Sequence, residues 1–219
     1  MQKDVRKVYD AIAERWNERH YKTRSWVRFF RPMLKKNDVV LDAGCGNGVN
    51  AISFAPFVRK IYAVDFSPKM VEYAKRNVRK AKLSKKIIAS KADVLKLPFK
   101  NSFFNVAAYF AVAHHFSGKR ELQLLFSEMS RVLKKKGFAF VTVRCEGWSA
   151  QEAGKAVFFN YAGKTGLTLP RIYSSPGKKT LVSVASKSGL ALRKFFFERK
   201  GRLCTKREAR NFCLVFQKL

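Results

Sequence analysis

At 219 residues the chain is long enough for one domain with a sizeable core. Lysine and arginine number 46 against 15 aspartates and glutamates, a formal net charge of +31; a general taste for charged residues would have raised the acids too, so the surplus points to a polyanionic partner. Cys45, Cys145, Cys204 and Cys213 show no C-x-x-C pairing and no clustered histidines, which argues against a metal site or a disulfide framework and fits a reducing cytoplasm.

Val5, Val8, Tyr9, Ile12 and Trp16 recur at helical spacing, predicting an amphipathic helix over 4–19 whose stripe packs on the core, with Tyr9 as a candidate for lining a cleft. His20 to Trp26 mixes aromatics with cations in a loop, a composition suited to stacking RNA bases and meeting phosphates. A short helix over 27–34 leads into a buried strand at Val39-Val40-Leu41, followed by Asp42 and the alternate glycines Gly44, Gly46 and Gly48. Those glycines let the backbone turn sharply and approach a ligand closely, at the carboxyl end of a strand and the start of the next helix, over 49–58. A dinucleotide fingerprint would need glycine at position 49, where the chain has Val49.

A second strand, 61–65, ends in Asp65, about twenty residues after the first glycine, where a ribose diol requires an acceptor. Ser67-Pro68 is a helix start, a capping hydroxyl followed by proline at the first helical position, and the helix over 68–82 turns Lys69, Lys75, Arg76, Arg79, Lys80 and Lys82 outward. Strands are expected at 87–89 and 103–113. The run 101–118 is uncharged but carries Asn101, Ser102, Asn105, His114, His115 and Ser117, so it reads as a buried strand with its flanks. No stretch reads as a signal peptide or an isolated basic amphipathic tail, and no membrane partner is expected. A helix over 119–134 is expected to stop at Gly137, and strands at 138–143, 190–197 and 211–216, with a helix over 178–188, complete the pattern.

The acid-x-G-x-G-x-G turn led by Asp42 resembles motif I of the class I S-adenosylmethionine-dependent methyltransferases. The resemblance implies an α/β, Rossmann-like sheet of seven strands, mostly parallel with an antiparallel last strand and helices on both faces. It implies one domain, 1–219, with a helical region at 1–36 and a substrate-specific insertion at about 145–177. S-adenosylmethionine is the implied cofactor, held by Asp42, Gly44, Gly46, Asn47 and Gly48, by Asp65 on the ribose with Phe66 and Met70 beside it, by Asp93 on the adenine amino group with Val94, and by Tyr9 in the cleft. Residues after the fourth strand line the acceptor pocket in this superfamily. The chain has no Asn/Asp-Pro-Pro-aromatic sequence there and no Pro-Cys, which argues against exocyclic-amine methylation and against a cysteine-nucleophile route. The acid often found near the start of that strand is Asn105.

Tyr9-Asp10-Ala11-Ile12-Ala13, Thr23-Arg24, the motif I turn, His114-His115-Phe116, Arg171-Ile172-Tyr173 and Asn211-Phe212 together look like the tRNA wobble-uridine methyltransferases. Those enzymes esterify the carboxylate of 5-carboxymethyluridine in the anticodon, with a small zinc-ribbon activator protein covering an apolar edge of the sheet. Phe54, Phe57, Phe99, Phe103 and Phe104 are candidates for such an edge. A carboxylate is already ionised at neutral pH and needs a cation to orient it rather than a base. The resemblance offers Arg24 and Arg171 as that cation, with Tyr173 or His115 donating a hydrogen bond. A hydroxyl or ring-nitrogen acceptor would instead make His114 or His115 the general base. Two other readings stand beside tRNA methylation: a small-molecule methyltransferase of the same superfamily, and an RNA-binding module that keeps the fold without turnover.

Overall fold

The structure, a computed structural model, describes residues 2–21, 25–116, 118–145, 156–160, 170–174 and 176–219, and of 2–4, 25, 156–160 and 170–174 the backbone. The chain runs through α1 (Gln2–Arg19), two 3₁₀ turns (Ser25–Phe29 and Arg31–Met33), β1 (Val39–Ala43), α2 (Val49–Phe54), β2 (Lys60–Asp65), α3 (Pro68–Lys80), β3 (Ile87–Lys91), β4 (Phe104–Phe110), α4 (Lys119–Val132) and β5 (Leu133–Arg144). It continues through β6 (Ala156–Asn160), β7 (Pro170–Ser174), α5 (Lys178–Lys187), β8 (Leu190–Arg199), β9 (Arg202–Leu203) and β10 (Asn211–Lys218).

Among the described residues one sheet has eight strands in the order β3-β2-β1-β4-β5-β10-β8-β9, and β6 and β7 form a separate antiparallel hairpin. The first five strands of that order are parallel, whereas β10 is antiparallel to both β5 and β8. Seven of the eight correspond to the expected set. The eighth, β9, is a two-residue return paired to the end of β8, too short to leave a periodic signal.

Alternation along β1 divides the core. Val39, Leu41 and Ala43 join the cluster under α4 and α5, while Val40 joins the one that holds Phe30, Phe54, Ala74 and Val78. The amphipathic first helix does two jobs: Val8, Ile12 and Ala13 pack on Met70 of α3, while Val5, Tyr9 and Trp16 turn towards a cleft. Ser67 caps α3 as its sequence suggests, its hydroxyl accepting from the Met70 amide at 3.1 Å.

Three elements differ from expectation. The helix over 27–34 is instead the pair of 3₁₀ turns, with Pro32 at the start of the second. The fourth strand ends at Phe110 because Ala111 takes a left-handed φ of 58°. Gly137 is not a helix stop: α4 ends at Val132 and β5 begins at Leu133. There a Cβ on Gly137 would lie 2.8 Å from the Lys134 carbonyl oxygen and 3.0 Å from that of Asn105, so glycine lets β5 close on the start of β4. Asn105 itself ties β4 to β1, its side-chain oxygen accepting from the Val39 amide at 3.0 Å.

The phenylalanines proposed as an apolar docking edge are buried or partly buried against the core. Phe54 and Phe104 are fully buried, and Phe57, Phe99 and Phe103 pack against the two main clusters. Among the described residues no helix is long and apolar enough to cross a membrane.

Candidate cofactor and acceptor site

Strand order reverses between β1 and β4, and an open α/β sheet leaves its crevice beyond the carboxyl ends of the strands at such a point. A cavity of about 400 Å³ lies there. One wall is the motif I turn, where Gly44, Gly46 and Gly48 all have left-handed φ, at 70°, 54° and 81°. A Cβ on Gly46 would meet just the Trp16 Nε1, at 3.6 Å, so this backbone faces open space. Gly48 is needed for another reason: its Cβ would come 3.1 Å from that of Ala74, where α3 crosses the turn.

Asp65 ends β2 at the cavity wall. One carboxylate oxygen accepts from the Gly46 amide at 2.8 Å and the other from the Ser67 amide at 2.9 Å, so the acid orients the glycine turn while keeping lone pairs for a diol. Burial pushes its pKa up, opposed by hydrogen bonds from the Ser67, Gly46 and Phe66 amides, with the Asp10 charge adding to the rise. Asp93 and Val94 line the same wall, with Asp93 accepting from the Leu95 amide at 2.9 Å. Phe66 lines it too, and the Arg6 guanidinium sits 5.7 Å over its ring.

Asp42 lies behind the turn, 1% exposed, and its Oδ2 makes no hydrogen bond among the described residues. Burial, reinforced by the Asp65 charge and opposed by the Ala51 amide, raises its pKa from 3.8 to about 7. The folded chain therefore holds a proton that the unfolded chain has already released. This contribution to stability is full below pH 3.8 and is lost as pH rises through about 7. Thermal melts of the cofactor-free protein are expected to show that fall, and Asp42→Asn to flatten it.

Two expected cofactor residues serve the frame instead of the cavity wall. Met70 is fully buried between α3 and α1. The Asn47 side chain donates to Asn17 Oδ1 at 3.1 Å and to the His20 carbonyl at 3.0 Å, and Asn77 donates to Asn17 Oδ1 at 2.8 Å, so three asparagines fasten the end of α1 to the glycine turn and α3. Asp10 fastens the other part of α1, accepting from the Ser67 hydroxyl at 2.5 Å.

The acceptor side is built from the segment after β4. The left-handed Ala111, whose amide donates to the Thr142 hydroxyl at 3.0 Å and to its carbonyl at 3.1 Å, leads into a 3₁₀ turn, Ala113–His115. His115 Nε2 and the Tyr9 hydroxyl are 3.1 Å apart in a hydrogen bond whose direction depends on the imidazole tautomer. His114 is 2% exposed and packs edge-on to His115, with ring centroids 4.5 Å apart. Arg24 lies outside the described residues. Arg171 and Tyr173 stand two apart on β7, opposite Phe159 and Val157, and this strand runs beside α1 and the His114–His115 turn.

Sequence reasoning missed Trp16, Arg19, His20, Arg144, Arg210 and Asn211 as lining residues. Trp16 and His20 rings lie 4.0 Å apart, continuing the Tyr9 contact along α1. Arg144 and Asn211 face each other across the β5–β10 register; because β10 runs backwards, its first residues share the edge where the parallel strands end.

Residues 41–141 match the family described as Methyltransferase domain. The chain is 30% identical over 150 residues, 68% of its length, to a tRNA (carboxymethyluridine(34)-5-O)-methyltransferase of Arabidopsis thaliana, of which it spans 34%. It is 28% identical over 181 residues to the protein of the same name in Schizosaccharomyces pombe, covering 80% of this chain and 72% of that one. A solved S-adenosylmethionine-dependent methyltransferase from Clostridium acetobutylicum shares the fold with a TM-score of 0.73 at 14% identity, over 96% of this chain and 99% of that one. A left-handed glycine cradle open to the cavity and two wall carboxylates suit a nucleoside carrying a ribose diol. The chain carries a methyltransferase domain over residues 41–141, and it resembles the class I S-adenosylmethionine-dependent methyltransferases, among them those named for tRNA carboxymethyluridine.

Proposed function

We propose that this methyltransferase acts on tRNA and esterifies the carboxylate of 5-carboxymethyluridine at the wobble position. The observation that carries the reading is the coexistence of the cofactor cradle with a net charge of +31. The names of the relatives supply the acceptor. On α3, Lys69, Lys75, Arg76, Arg79 and Lys80 are exposed with Glu72 as the helix's sole acid, an arrangement that suits a run of phosphates.

When bound, the cofactor supplies an activated methyl group on a sulfonium. The protein's part is to align an already ionised carboxylate with that methyl and to exclude water, and it needs no general base. In this reading α1 closes the cleft over the cofactor, and the Tyr9–His115 pair fixes the acceptor wall.

Methyl transfer to tRNA is expected to fall steeply between low and moderate salt, and Arg76→Glu with Arg79→Glu to weaken tRNA binding without changing cofactor affinity. Filter binding across a salt series, together with calorimetry of the cofactor, checks both. Transfer to small carboxylic acids that ignores salt, with none to tRNA, would favour a small-molecule methyltransferase instead. A zinc-ribbon activator belongs to the same proposal and is tested by copurification; the fully buried Phe54 and Phe104 are not available to such a surface.

A further inference from the structure

Positive charge concentrates in one short segment outside the cofactor cradle. Of the twelve residues between Glu198 and Asn211, six are cationic and one, Glu208, is acidic, a density more than twice that of the chain, where 46 of 219 residues are cationic. The fold sets this segment beside the cleft. Because β8 is antiparallel to β10 and β10 is antiparallel to β5, β8 ends at the edge where the parallel strands end. Asn211, which follows the segment, lines the cavity and pairs with Glu198 of β8. Glu198 pairs on its other side with Leu203 of β9, so Leu203 stands two strand spacings from Asn211, about 10 Å.

The segment is a preformed hairpin. Lys200 and Gly201 are the central residues of its turn, with left-handed φ of 48° and 79°, the combination that a two-residue hairpin turn requires. Its base rests on the fully buried Glu198 carboxylate, one oxygen accepting from the Gly201 amide at 3.0 Å and the other from the Asn211 side chain. Glu208 is engaged within the segment, accepting from the Thr205 amide at 3.1 Å and hydroxyl at 2.8 Å, and Arg199 folds back to donate to the Glu208 carbonyl at 3.0 Å. Lys200, Arg202, Lys206 and Arg207 are exposed, and their side chains make no hydrogen bond or ion pair among the described residues. Among them Leu203 is 65% exposed. Like charges at this density repel one another, and a polyanion relieves the repulsion.

We propose that the β8–β9 hairpin and its return to β10 form an RNA clamp. Lys200, Arg202, Lys206 and Arg207 hold phosphates of the nucleotides that flank the acceptor, and Leu203 packs on one of their bases. The proposal rests on the reading that the acceptor lies in tRNA. A nucleotide that enters the cavity leaves its stack, and its neighbours then need a hold on their backbone and an apolar surface close to the cleft.

The test is binding of the full chain, loaded with S-adenosylhomocysteine, to an unmodified transcript of a tRNA with uridine at the wobble position, across a salt series. A hairpin variant with Lys200→Gln, Arg202→Gln, Lys206→Gln and Arg207→Gln is compared with an equally neutralised control, Lys35→Gln, Lys85→Gln, Lys135→Gln and Lys136→Gln, whose exposed lysines lie at the opposite edge of the sheet, where β1, β3 and β5 start. The hairpin variant should bind the transcript about 10-fold or more weakly and lose about 0.7 from the slope of log affinity against log salt for each phosphate contact removed. The control should bind it as the wild type does, and both should keep the wild-type affinity for S-adenosylhomocysteine. Leu203→Ser should weaken transcript binding by about 5-fold with the slope unchanged, as loss of an apolar contact does. Equal losses in the two charge variants would reduce the effect to net charge and overturn the proposal, as would a hairpin variant with wild-type affinity and slope. A Leu203→Ser chain that binds like the wild type would overturn the base contact. A wild type that binds no transcript, or binds it without regard to salt, would overturn the proposal together with the reading of a tRNA substrate.

Discussion

Asp65→Ala is expected to weaken S-adenosylmethionine binding by more than about 100-fold, on the proposal that this cavity-lining carboxylate accepts from both hydroxyls of the ribose diol. The same substitution strips the Gly46 and Ser67 amides of their acceptor, at 2.8 Å and 2.9 Å, so the glycine turn and the start of α3 lose their common tie. Each buried amide left unsatisfied costs about 1–3 kcal/mol. Asp65→Asn separates the two effects. Its single amide oxygen can accept from one of the two backbone amides while its NH2 faces the other, so part of the thermal stability should return while the affinity stays low. Calorimetry of cofactor binding beside thermal melts of both variants reads the two quantities independently. An alanine variant that binds the cofactor normally would remove Asp65 from the site.

Gly44→Ala should be strongly destabilising. Its left-handed φ of 70° costs an L-residue about 1–2 kcal/mol. The new Cβ would also stand 2.5 Å from Cγ2 of Val112, a stiff β-branched side chain that is itself buried at the cleft wall. Overpacking of this kind adds about 1–3 kcal/mol, for a total of about 2–5 kcal/mol and a fall in melting temperature of roughly 4–20 °C. Val112→Ala in the same chain should recover the steric part and leave the backbone part. A double-mutant cycle with no coupling between the two positions would show that the contact does not govern the turn.

Much of the cofactor half was legible in the sequence because its signals are local. A glycine at positive φ, a hydroxyl cap before proline and an acid at a strand end each announce themselves within a few residues, and β1, β2, α3 and Asp65 fall where those signals put them. The acceptor half was not legible to the same degree, since its wall is assembled by topology. Tyr9 and His115 are 106 positions apart, and Arg144 meets Asn211 only because β10 runs against its neighbours. Residue type also misled where one side chain had two possible jobs. Asn47 and Met70 sit within cofactor motifs yet serve the attachment of α1. Gly137 after a lysine run looked like a helix stop, but the close approach of two strands also demands a glycine.

The most direct test of the account is methyl transfer itself. Purified protein is incubated with methyl-labelled S-adenosylmethionine and tRNA from a source that lacks the wobble methylester, and the labelled nucleoside is then treated with mild alkali. The account predicts label on the wobble uridine that alkali releases, as an ester must. Label that survives alkali would contradict it, placing the methyl on a ring or sugar atom and returning His114 and His115 to the role of general base.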